Sequence, residues 1–572
     1  MVCGCAVGCV SATGLCPGLV PMPQEVEWTT GMCADTVEVV EQLDMSIPAE
    51  GYRLDLKPEE ILLVASGAAG FFYGRQTLRQ LKDGRAYPCC RIVDRPAYSW
   101  RGLHLDEARH FFGKATVLKL LATMARFKLN VLHWHLTDNQ GWRIPIPGYP
   151  KLTEATRPVE NRMNFCDLAE NGTYGPYSYT KSDLQEIVRH AKMLNIRIVP
   201  EIEIPGHSEI LLKTYPEFAC AVTNREVNNA VCVGKDATIS FFERVLDEVC
   251  AIFPDAVVHI GGDECDRRDW MRCPDCQARM KRERLADTAA LQSWTTAHFE
   301  RYLCGKGRRL MGWDEIAEGG LPSEAMVMSW RGTSTGILAA KAGQDVVMTP
   351  NEYCYFDYDQ GIEEDPHLYP YNWTVLLPLA KVYSFDPSRG IPEEFRKHVL
   401  GAQGNNWSEM TRTESELEWK VWPRAAALAE VLWTDPAKRD FISFMRRMEP
   451  RRKELVDSGV NAAPLELHRS ASCPRGELVR TTKKTDEELR YVCGDAESTL
   501  SLCGGRLTFS SPGSERDKFG LNEFKEIEIV EVDAGTYLVT VRRSRRGSLV
   551  TVLFDGDRVV FKDTRDEKEE VR

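Results

Sequence analysis

The chain has 572 residues, of which 43% are hydrophobic and 27% are charged. This composition is that of a soluble globular protein, and the length predicts more than one domain. The formal net charge of -12, with a sequence pI near 5.6, argues against a nucleic-acid partner, because binding a polyanion requires a concentrated basic surface. No apolar run is long enough to cross a bilayer, so we predict no transmembrane segment.

The chain begins with MVCGCAVGCVSATGLCPG, which is small and apolar but lacks the positively charged start of a secretion signal. The residues before Cys16 are also a poor match to a lipoprotein site. We therefore predict no convincing signal peptide, and the sequence leaves the localisation open. The 19 cysteines show no framework of regular spacings, so their disulfide pairing is left open as well.

Residues 20–95 have the pattern of a small α+β unit. The strand-like segments VEVVEQL and YRLDL precede ILLVASGAAGFFYGRQTLRQL, in which a strand leads into an amphipathic helix that ends near Leu81. The sequence Asp-Arg-Pro that ends at Pro96 forms a natural boundary. We therefore predict an N-terminal α+β domain over residues 18–96.

One pattern repeats between Trp100 and Asp435: a short apolar run ends in polar or aromatic residues, and a helical stretch usually follows. Eight such runs predict an α/β fold, a (β/α)8 TIM barrel over residues 97–450. The active site of this fold lies at the C-terminal ends of the strands, where the unusual residues of these runs are found. The runs are RGLHLDEAR (101–109), NVLHWHLTD (130–138), RIVPEIEIPGH (197–207), AVVHIGGDE (256–264), RLMGWDEI (309–316), AMVMSWRG (325–332), DVVMTPNEYCYFDY (345–358) and LGAQGNNWSEM (400–410).

Helical periodicity accompanies most of these runs. The crossover between the seventh and eighth runs is the exception, since no clear helix is predicted there. The helical candidates are residues 114–128, 181–195, 238–253, 286–303, 333–343 and 414–433.

The composition changes after Pro450, and residues 451–572 are predicted to be a linker followed by a small β-rich appendage. Residues 468–488, HRSASCPRGELVRTTKKTDEE, have the composition of a linker. The alternating segments IEIVEV, TYLVTV, SLVTVLF and RVVFKD then predict strands, with turn signals at DAG and DGD.

Two neighbouring carboxylates, Asp263 and Glu264, follow two glycines at the end of the apolar run AVVHI. Side chains alternate along a strand, so the pair points to opposite sides unless the chain bends, and Gly261 and Gly262 permit a bend. A separated and differently solvated pair can hold two different protonation states, as acid-base catalysis requires. The alternative is a solvated acidic turn, and the pair alone does not decide between the two.

His133 and His135 are two residues apart and hence on one face of a strand, a spacing that metal sites on barrels use. No second tight histidine cluster supplies the remaining ligands. We therefore predict that these histidines orient their neighbours by hydrogen bonds, and we predict no metal and no cofactor. A metal-dependent barrel hydrolase that uses this pair is kept as an alternative.

Cys273 and Cys276 form a CxxC motif after the acidic pair. A zinc ribbon needs a second half at a suitable spacing, and a redox motif needs a thioredoxin-like βαβ unit, and the sequence shows neither. The motif is therefore interpreted as a lone pair, either a local disulfide or two free thiols.

Aromatic residues collect at the predicted strand ends and predict a concave surface that stacks on a sugar ring. Arg109, Asp357 and Glu409 are placed to supply polar contacts to hydroxyl groups. The aromatic residues are Trp142, Trp313, Trp330, Tyr355 and Trp407.

The ordered motifs RGLHLDEARHF, HWHLTDNQGWR, EIEIPGH, HIGGDE, GWDEI, SWRG, YCYFDY and NNWSE resemble the successive barrel-strand motifs of glycoside hydrolase family 20, the β-N-acetylhexosaminidases. Residues 20–95 resemble the N-terminal α+β domain of that family, whereas the C-terminal appendage lies outside the resemblance. The family includes enzymes outside the cell, so the resemblance is compatible with a secreted or periplasmic location. The oligomeric state is left open.

The resemblance implies that Glu264 is the general acid/base and that Asp263 holds the N–H of the substrate's acetamido group. Tyr355 would bind the acetamido carbonyl. Asn139 departs from the pattern, because many family members have a second Asp there, after Asp138. The remaining implied roles are the walls of the sugar site for Trp313, Trp330 and Trp407, ring-hydroxyl contacts for Arg109 and Glu409, the 6-hydroxyl for Asp357, and a supporting network of Asp138, His135 and His207.

The implied activity is the exo-acting, retaining removal of terminal β-linked N-acetylglucosamine or N-acetylgalactosamine from a glycan or glycoconjugate. The implied mechanism is substrate-assisted and passes through an oxazolinium intermediate. A lacto-N-biosidase-like enzyme that releases a disaccharide is a close alternative. A sugar-binding protein without catalysis is a further alternative, which the retention of Asp263, Glu264 and Tyr355 disfavours.

Overall fold

The computed structural model describes residues 18–158, 173–222, 229–320, 322, 324–360 and 376–465, together with nine strands between residues 477 and 563. Among the helices of these residues, none is both long enough and apolar enough to cross a membrane.

The N-terminal unit is a five-stranded sheet with one helix packed on it, and this confirms the predicted α+β class. The strand order is β1-β5-β3-β4-β2. The sheet and helix share one core, in which Tyr52 and Leu54 of the sheet pack with Tyr73 and Leu81 of the helix. The elements are β1 (Glu25–Ala34), β2 (Val39–Leu43), β3 (Tyr52–Lys57), β4 (Glu60–Ala65), α1 (Ala68–Leu81) and β5 (Ala86–Asp94).

The eight predicted runs form a closed parallel barrel, which confirms the predicted fold class. The barrel strands are β6, β7 and β12 to β17, while β8 to β11 form two short hairpins outside it. The strands are β6 (Trp100–Asp106), β7 (Val131–His135), β8 (Thr137–Asp138), β9 (Gly141–Trp142), β10 (Arg157–Pro158), β11 (Thr173–Tyr174), β12 (Arg197–Glu201), β13 (Val257–His259), β14 (Arg309–Trp313), β15 (Met326–Ser329), β16 (Val346–Met348) and β17 (Val399–Asn406).

The barrel helices agree with the predicted candidates except at residues 414–433. That stretch is two helices, because Pro423 lacks the backbone N–H of a helix interior and disfavours the helical conformation at Trp422, which is extended. The final helix continues through Pro450 to Asp457. The helices are α2 (Lys114–Arg126), α3 (Lys151–Glu154), α4 (Lys181–Met193), α5 (Glu209–Thr214), α6 (Asp236–Ile252), α7 (Pro274–Glu283), α8 (Thr288–Cys304), α9 (Ser334–Lys341), α10 (Asn351–Cys354), α11 (Leu379–Tyr383), α12 (Glu414–Val421), α13 (Arg424–Trp433) and α14 (Phe441–Asp457).

The interior of the barrel changes from apolar to polar along the strands. On β7, Val131 belongs to an apolar cluster with Val199 and Val257 of the next strands, while His133 and His135 lie further along the same face. These histidines are fully buried. The floor of the C-terminal face is therefore polar, and that is where the candidate site lies.

The C-terminal strands form two antiparallel sheets, of five and four strands. The prediction of a linker over residues 468–488 was wrong in its second half, because Glu477–Lys483 and Asp486–Cys493 pair as a hairpin. The strands are β18 (Glu477–Lys483), β19 (Asp486–Cys493), β20 (Ala496–Cys503), β21 (Arg506–Ser511), β22 (Ser514–Asp517), β23 (Phe524–Asp533), β24 (Thr536–Arg543), β25 (Leu549–Asp555) and β26 (Arg558–Asp563).

The sequence predicts that Cys273 and Cys276 form a lone CxxC pair, and this prediction is wrong. Cys220 and Cys232 lie beside Cys273 and Cys276, and all four are buried. Three of the distances between their sulfur atoms are 3.5, 3.6 and 3.9 Å, well beyond the length of a disulfide bond. All four are free thiols, so of the two alternatives for the motif the local disulfide is wrong. The sequence could not show this grouping, because 40 or more residues separate the two pairs.

Candidate active site

The two neighbouring carboxylates lie on a sharp bend after barrel strand β13. The backbone is left-handed at Gly261, Gly262 and Glu264, with φ angles of 65°, 95° and 44°. A side chain at Gly261 would also collide, because its Cβ atom would lie 2.0 Å from a carboxylate oxygen of Glu203. The bend buries Asp263 and leaves the Glu264 side chain 62% exposed. The adjacent carboxylates therefore occupy two different environments.

His207 lies between this acidic pair and a third carboxylate. Its Nδ1 atom is 3.2 Å from Oδ1 of Asp138, and its Nε2 atom is 3.4 Å from Oδ2 of Asp263 and 3.7 Å from Oε2 of Glu264. Burial disfavours the imidazolium form, but the charges of Asp138 and Asp263 outweigh burial and hold the pKa of His207 well above its usual value. A positive charge therefore lies between these carboxylates, and together with Arg109 it outweighs burial and holds the pKa of Asp138 well below its usual value.

Asn139, the departure from the family pattern, is part of this contact. Its backbone N–H donates to Oδ1 of Asp138 over 2.6 Å, and its side-chain nitrogen is 3.2 Å from Nδ1 of His207. Its side-chain oxygen accepts a hydrogen bond from the backbone of Glu209. A neutral amide in this position adds no charge beside His207, so Asp138 supplies the negative charge there.

His135 is a second buried imidazolium. Its Nδ1 atom is 2.6 Å from Oε2 of Glu201, and its Nε2 atom is 2.9 Å from Oδ2 of Asp138. Burial opposes the charge, yet Glu201 and Asp138 raise the pKa of His135 well above its usual value. Because each ring nitrogen donates a hydrogen bond to a carboxylate, neither offers a lone pair to a metal ion.

His133 is a neutral ring beneath the site. Its Nδ1 atom accepts a hydrogen bond of 2.9 Å from the amide of Gln403, and burial lowers the pKa of His133 to about 3. Its Nε2 atom faces Oε2 of Glu201 at 3.1 Å. Glu201 forms one group that is close enough to hold a metal with His133 and His259, and another with His104 and His135. The hydrogen bonds of His133 and His135 nevertheless favour an orienting role over metal ligation.

Glu201 is the centre of this network, and the sequence analysis assigned it no role. It is fully buried, its Oε1 atom accepts a hydrogen bond of 2.7 Å from the indole of Trp313, and the same oxygen is 3.0 Å from Nδ1 of His259. Burial opposes ionisation, but the surrounding histidines, His135 first, hold the pKa of Glu201 well below its usual value. Glu201 is the first residue of the motif EIEIPGH, and this position is the signal in the sequence that could have identified it.

Four of the predicted aromatic residues lie together above this network. The ring centroids of Trp313 and Trp407 are 5.7 Å apart, and those of Tyr355 and Trp407 are 6.4 Å apart. Trp330 is stacked on Tyr355 at 6.2 Å and 23°, and its indole N–H donates to Glu315 over 3.0 Å. The strands β14 to β17 thus bring residues from distant parts of the chain into one aromatic group.

Trp142, the fifth aromatic residue, is not part of this group, and its predicted place in the sugar pocket was wrong. Its ring packs near Phe241 of α6, and its indole N–H donates to the backbone oxygen of Ile144 over 2.8 Å. Trp142 is buried in the apolar core outside the barrel. An aromatic residue after a barrel strand therefore does not by itself identify a pocket residue.

The predicted polar residues are brought to the same face. Arg109 is buried, with its Nη2 atom 2.8 Å from Oδ2 of Asp138 and its Nη1 atom 3.7 Å from Oε1 of Glu409. Its guanidinium lies 4.8 Å above the ring of Trp407. Asp357 is also buried, and burial raises its pKa to about 7.

The sequence predicts no role for two further acids near Asp263, Glu203 and Glu315. Burial, and then the negative charges of Asp263 and Asp314, raise the pKa of Glu315 to about 9. Burial and the charge of Asp263 likewise raise the pKa of Glu203 well above its usual value. Glu315 is therefore neutral at neutral pH. The signal for them was their presence in the motifs GWDEI and EIEIPGH.

The raised pKa of Asp357 predicts a pH-dependent stability. In the unfolded chain an Asp releases its proton near pH 3.9, whereas in the fold Asp357 keeps it until about pH 7. Between these values the folded state binds more protons, so this group makes the fold less stable as the pH rises. The Asp357→Asn variant should therefore gain thermal stability relative to the native chain between about pH 4 and pH 7, by an amount of order a few kcal/mol.

The measurement is the thermal midpoint of both chains across this pH range. Asp247→Asn, on the outer surface of α6, is the matched control and should follow the native chain. A constant difference between Asp357→Asn and the native chain at every pH would show that Asp357 is already ionised throughout.

Two models of one protein family match the chain. The model of the glycosyl hydrolase family 20 catalytic domain matches residues 98–436, and the model of domain 2 of that family matches residues 33–95. A parallel barrel that carries paired carboxylates beside an aromatic cluster defines a glycoside hydrolase. The chain belongs to glycosyl hydrolase family 20.

Its relatives agree with this assignment. A beta-hexosaminidase of Porphyromonas gingivalis is 38% identical over 532 residues, which cover 88% of this chain and 66% of that protein. A beta-hexosaminidase of Akkermansia muciniphila is 33% identical over 458 residues, which cover 77% of this chain and 90% of that protein. The crystal structure of a GH20 exo-β-N-acetylglucosaminidase from Vibrio harveyi in complex with N-acetylglucosamine matches with a TM-score of 0.72 at 28% identity, covering 78% of each chain. This chain is an enzyme of the β-N-acetylhexosaminidase class.

Proposed function

We propose that this enzyme is an exo-acting, retaining glycoside hydrolase that removes terminal, non-reducing β-linked N-acetylglucosamine or N-acetylgalactosamine. One observation carries the proposal: Asp263 and Glu264 are consecutive, one is buried and the other exposed, and both face His207. A buried carboxylate can hold a fixed charge beside a substituent of the sugar. An exposed carboxyl group can exchange protons with a leaving group and then with water.

The proposed nucleophile is the acetamido carbonyl oxygen of the substrate, since family 20 is an exception to the use of a carboxylate nucleophile. As this oxygen bonds to the anomeric carbon, the glycosidic bond breaks and Glu264 gives its proton to the leaving oxygen. Asp263 accepts a hydrogen bond from the acetamido N–H and balances the positive charge that develops. Burial raises the pKa of Glu315 to about 9, so this neighbour stays neutral, and Asp263 is proposed to supply the negative charge in this part of the site.

The second half of the proposed reaction returns the proton. Glu264, now ionised, takes a proton from a water molecule, and the water oxygen opens the oxazolinium ring at the anomeric carbon. Two inversions at that carbon give net retention. The imidazolium of His207 faces both carboxylates.

The aromatic group is proposed to hold the acetamido group in the geometry of attack. Burial raises the pKa of Tyr355 well above its usual value, so its hydroxyl group keeps its proton and can donate to the acetamido oxygen. Trp313, Trp330 and Trp407 surround this position and exclude water from the intermediate.

The polar residues are proposed to select the terminal sugar. Arg109 is held by Asp138 and lies against Trp407, with Glu409 beside it, so its guanidinium has a fixed place, and it is proposed to contact the ring hydroxyls. Asp357 is proposed to contact the 6-hydroxyl. Fixed contacts to the outer hydroxyls of one sugar are what an exo-acting enzyme requires.

A panel of aryl β-glycosides of N-acetylglucosamine, N-acetylgalactosamine, glucose and lacto-N-biose tests the proposal. We expect turnover of one or both N-acetylhexosaminides and none of the glucoside, because glucose lacks the internal nucleophile. We also expect tight inhibition by a thiazoline that mimics the intermediate. Hydrolysis of the glucoside at a comparable rate would contradict the mechanism, and preferential release of lacto-N-biose would favour the disaccharide-releasing alternative.

A further inference from the structure

Four buried cysteines meet at one point behind the acidic pair. Cys220 and Cys232 lie in the segment that follows β12 and α5, while Cys273 precedes α7 and Cys276 lies in its first turn. Their sulfur atoms all lie within 4.8 Å of one another. Two segments that are far apart in the chain therefore present two thiols each to one small volume.

The distances between the sulfurs fit a metal ion at the centre. Four thiolates at about 2.3 Å from a tetrahedral zinc ion lie about 3.8 Å from one another. The sulfur of Cys232 is 3.5 Å from that of Cys273 and 3.6 Å from that of Cys276, and the latter is 3.9 Å from that of Cys220. A disulfide would require about 2.0 Å.

The surrounding backbone is built to bring the two segments together. Gly234 approaches α7 so closely that a Cβ atom there would lie 2.3 Å from the backbone nitrogen of Cys276. The indole N–H of the buried Trp270 donates to the backbone oxygen of Val231 over 2.9 Å, and the side chain of Arg279 donates to that of Gly234 over 3.3 Å. The four thiols are thus held in place by contacts other than their own.

We propose that Cys220, Cys232, Cys273 and Cys276 bind one structural zinc ion as four thiolates. Binding forms four zinc-sulfur bonds, and the four thiol protons pass to solvent. Soft thiolate ligands in a tetrahedral arrangement select zinc over oxygen-preferring cations such as calcium or magnesium. Four protein ligands in a buried site leave no open position for a substrate, so the role of the ion is structural.

The site would also stabilise the loop that carries Glu264. Asn229, three residues before Cys232, donates from its side chain to the backbone oxygen of Glu264 over 3.0 Å and accepts from the backbone N–H of Asp266 over 3.0 Å. The backbone oxygen of Asn229 also accepts a hydrogen bond from Ser208, next to His207. The zinc ion would therefore fix a segment that positions both residues.

The test is the metal content of the full chain, purified in reduced form from cells grown with added zinc and without a chelator or a metal-affinity step. Elemental analysis should find about one zinc ion per chain. A thiol-specific mercurial should release that ion, and cobalt(II) in its place should give the thiolate-to-metal charge-transfer absorption of a tetrahedral site. Cys304→Ser, on the exposed surface of α8, is the matched control and should keep the zinc.

Cys232→Ser should lose the zinc and lower the thermal midpoint, because a ligand that binds only the folded state stabilises it. If this variant does not fold, the metal content of the native chain still tests the proposal. Native chain that contains no zinc, and that takes up neither zinc nor cobalt after reduction, would overturn the proposal. An intact mass that shows disulfides among these four cysteines in the purified chain would overturn it too.

The effect on the loop has a separate readout, which rests on the proposed function of Glu264. Zinc-depleted enzyme should lose more activity on substrates with poor leaving groups than on activated aryl glycosides, and added zinc should restore both. Equal losses on the two kinds of substrate would show that the zinc ion does not position Glu264. The zinc content itself would stand whatever the outcome for catalysis.

Discussion

Replacing Glu264 by Gln should slow the hydrolysis of substrates with poor leaving groups by about 10² to 10⁴, the usual contribution of a general acid. Activated aryl glycosides should lose much less in the bond-breaking step, because their leaving groups depart without a proton. The environment of Glu264 supports this role, because its side chain is 62% exposed and can exchange protons with a leaving group and with water.

The measurement is kcat/KM for a series of aryl N-acetylglucosaminides whose leaving groups differ in pKa. The native enzyme should show a weak dependence on that pKa and Glu264→Gln a steep one. The control is Glu324→Gln, which changes an exposed carboxylate away from the site and should behave as the native enzyme. An unchanged slope in Glu264→Gln would remove Glu264 from the role of acid.

Replacing Asp263 by Asn should lower kcat by about 10² to 10³ on good and poor leaving groups alike. The proposed task of Asp263 is to balance the charge of the acetamido group, which develops whichever group departs. A neutral amide of the same size keeps the packing of this buried position but cannot supply the charge. Burial makes the loss large, because water cannot screen the missing interaction there.

The pattern across substrates separates the two carboxylates: a steep leaving-group dependence for Glu264→Gln and a uniform loss for Asp263→Asn. Asp247→Asn again serves as the surface control. The thiazoline inhibitor should also bind more weakly to Asp263→Asn, because it carries the same developing charge. A covalent sugar trapped on any carboxylate of the enzyme during turnover would contradict the mechanism, since the proposed nucleophile belongs to the substrate.

The sequence determined the barrel because each strand and helix carries a local signal. The eight apolar runs are strands, because a short apolar segment that ends in polar residues is typical of a buried strand in an α/β fold. The helix α4 begins where Thr180 and Asp183 form a capping box, and both residues lie within four positions of one another. Periodicity and capping depend on near neighbours, which the sequence displays directly.

The sequence also indicated the acidic pair, because Gly261 and Gly262 precede it and permit the bend that the structure has. It could not indicate how strongly Glu315 holds its proton. That pKa depends on burial and on the charges of Asp263 and Asp314, of which Asp263 comes from another strand of the barrel. The pairing of β13 with β14 brings Asp263 within range of Glu315.

The four cysteines show most clearly which features the sequence displays and which depend on the tertiary structure. The spacing of Cys273 and Cys276 was visible in the sequence and was interpreted as a lone pair, while Cys220 and Cys232 gave no pattern at all. Their meeting depends on the path of two loops after different barrel strands, and on the glycine at position 234 that lets those loops approach. The sequence determined the elements through local periodicity, whereas the tertiary structure decided which distant side chains meet, because such contacts leave no regular spacing in the chain.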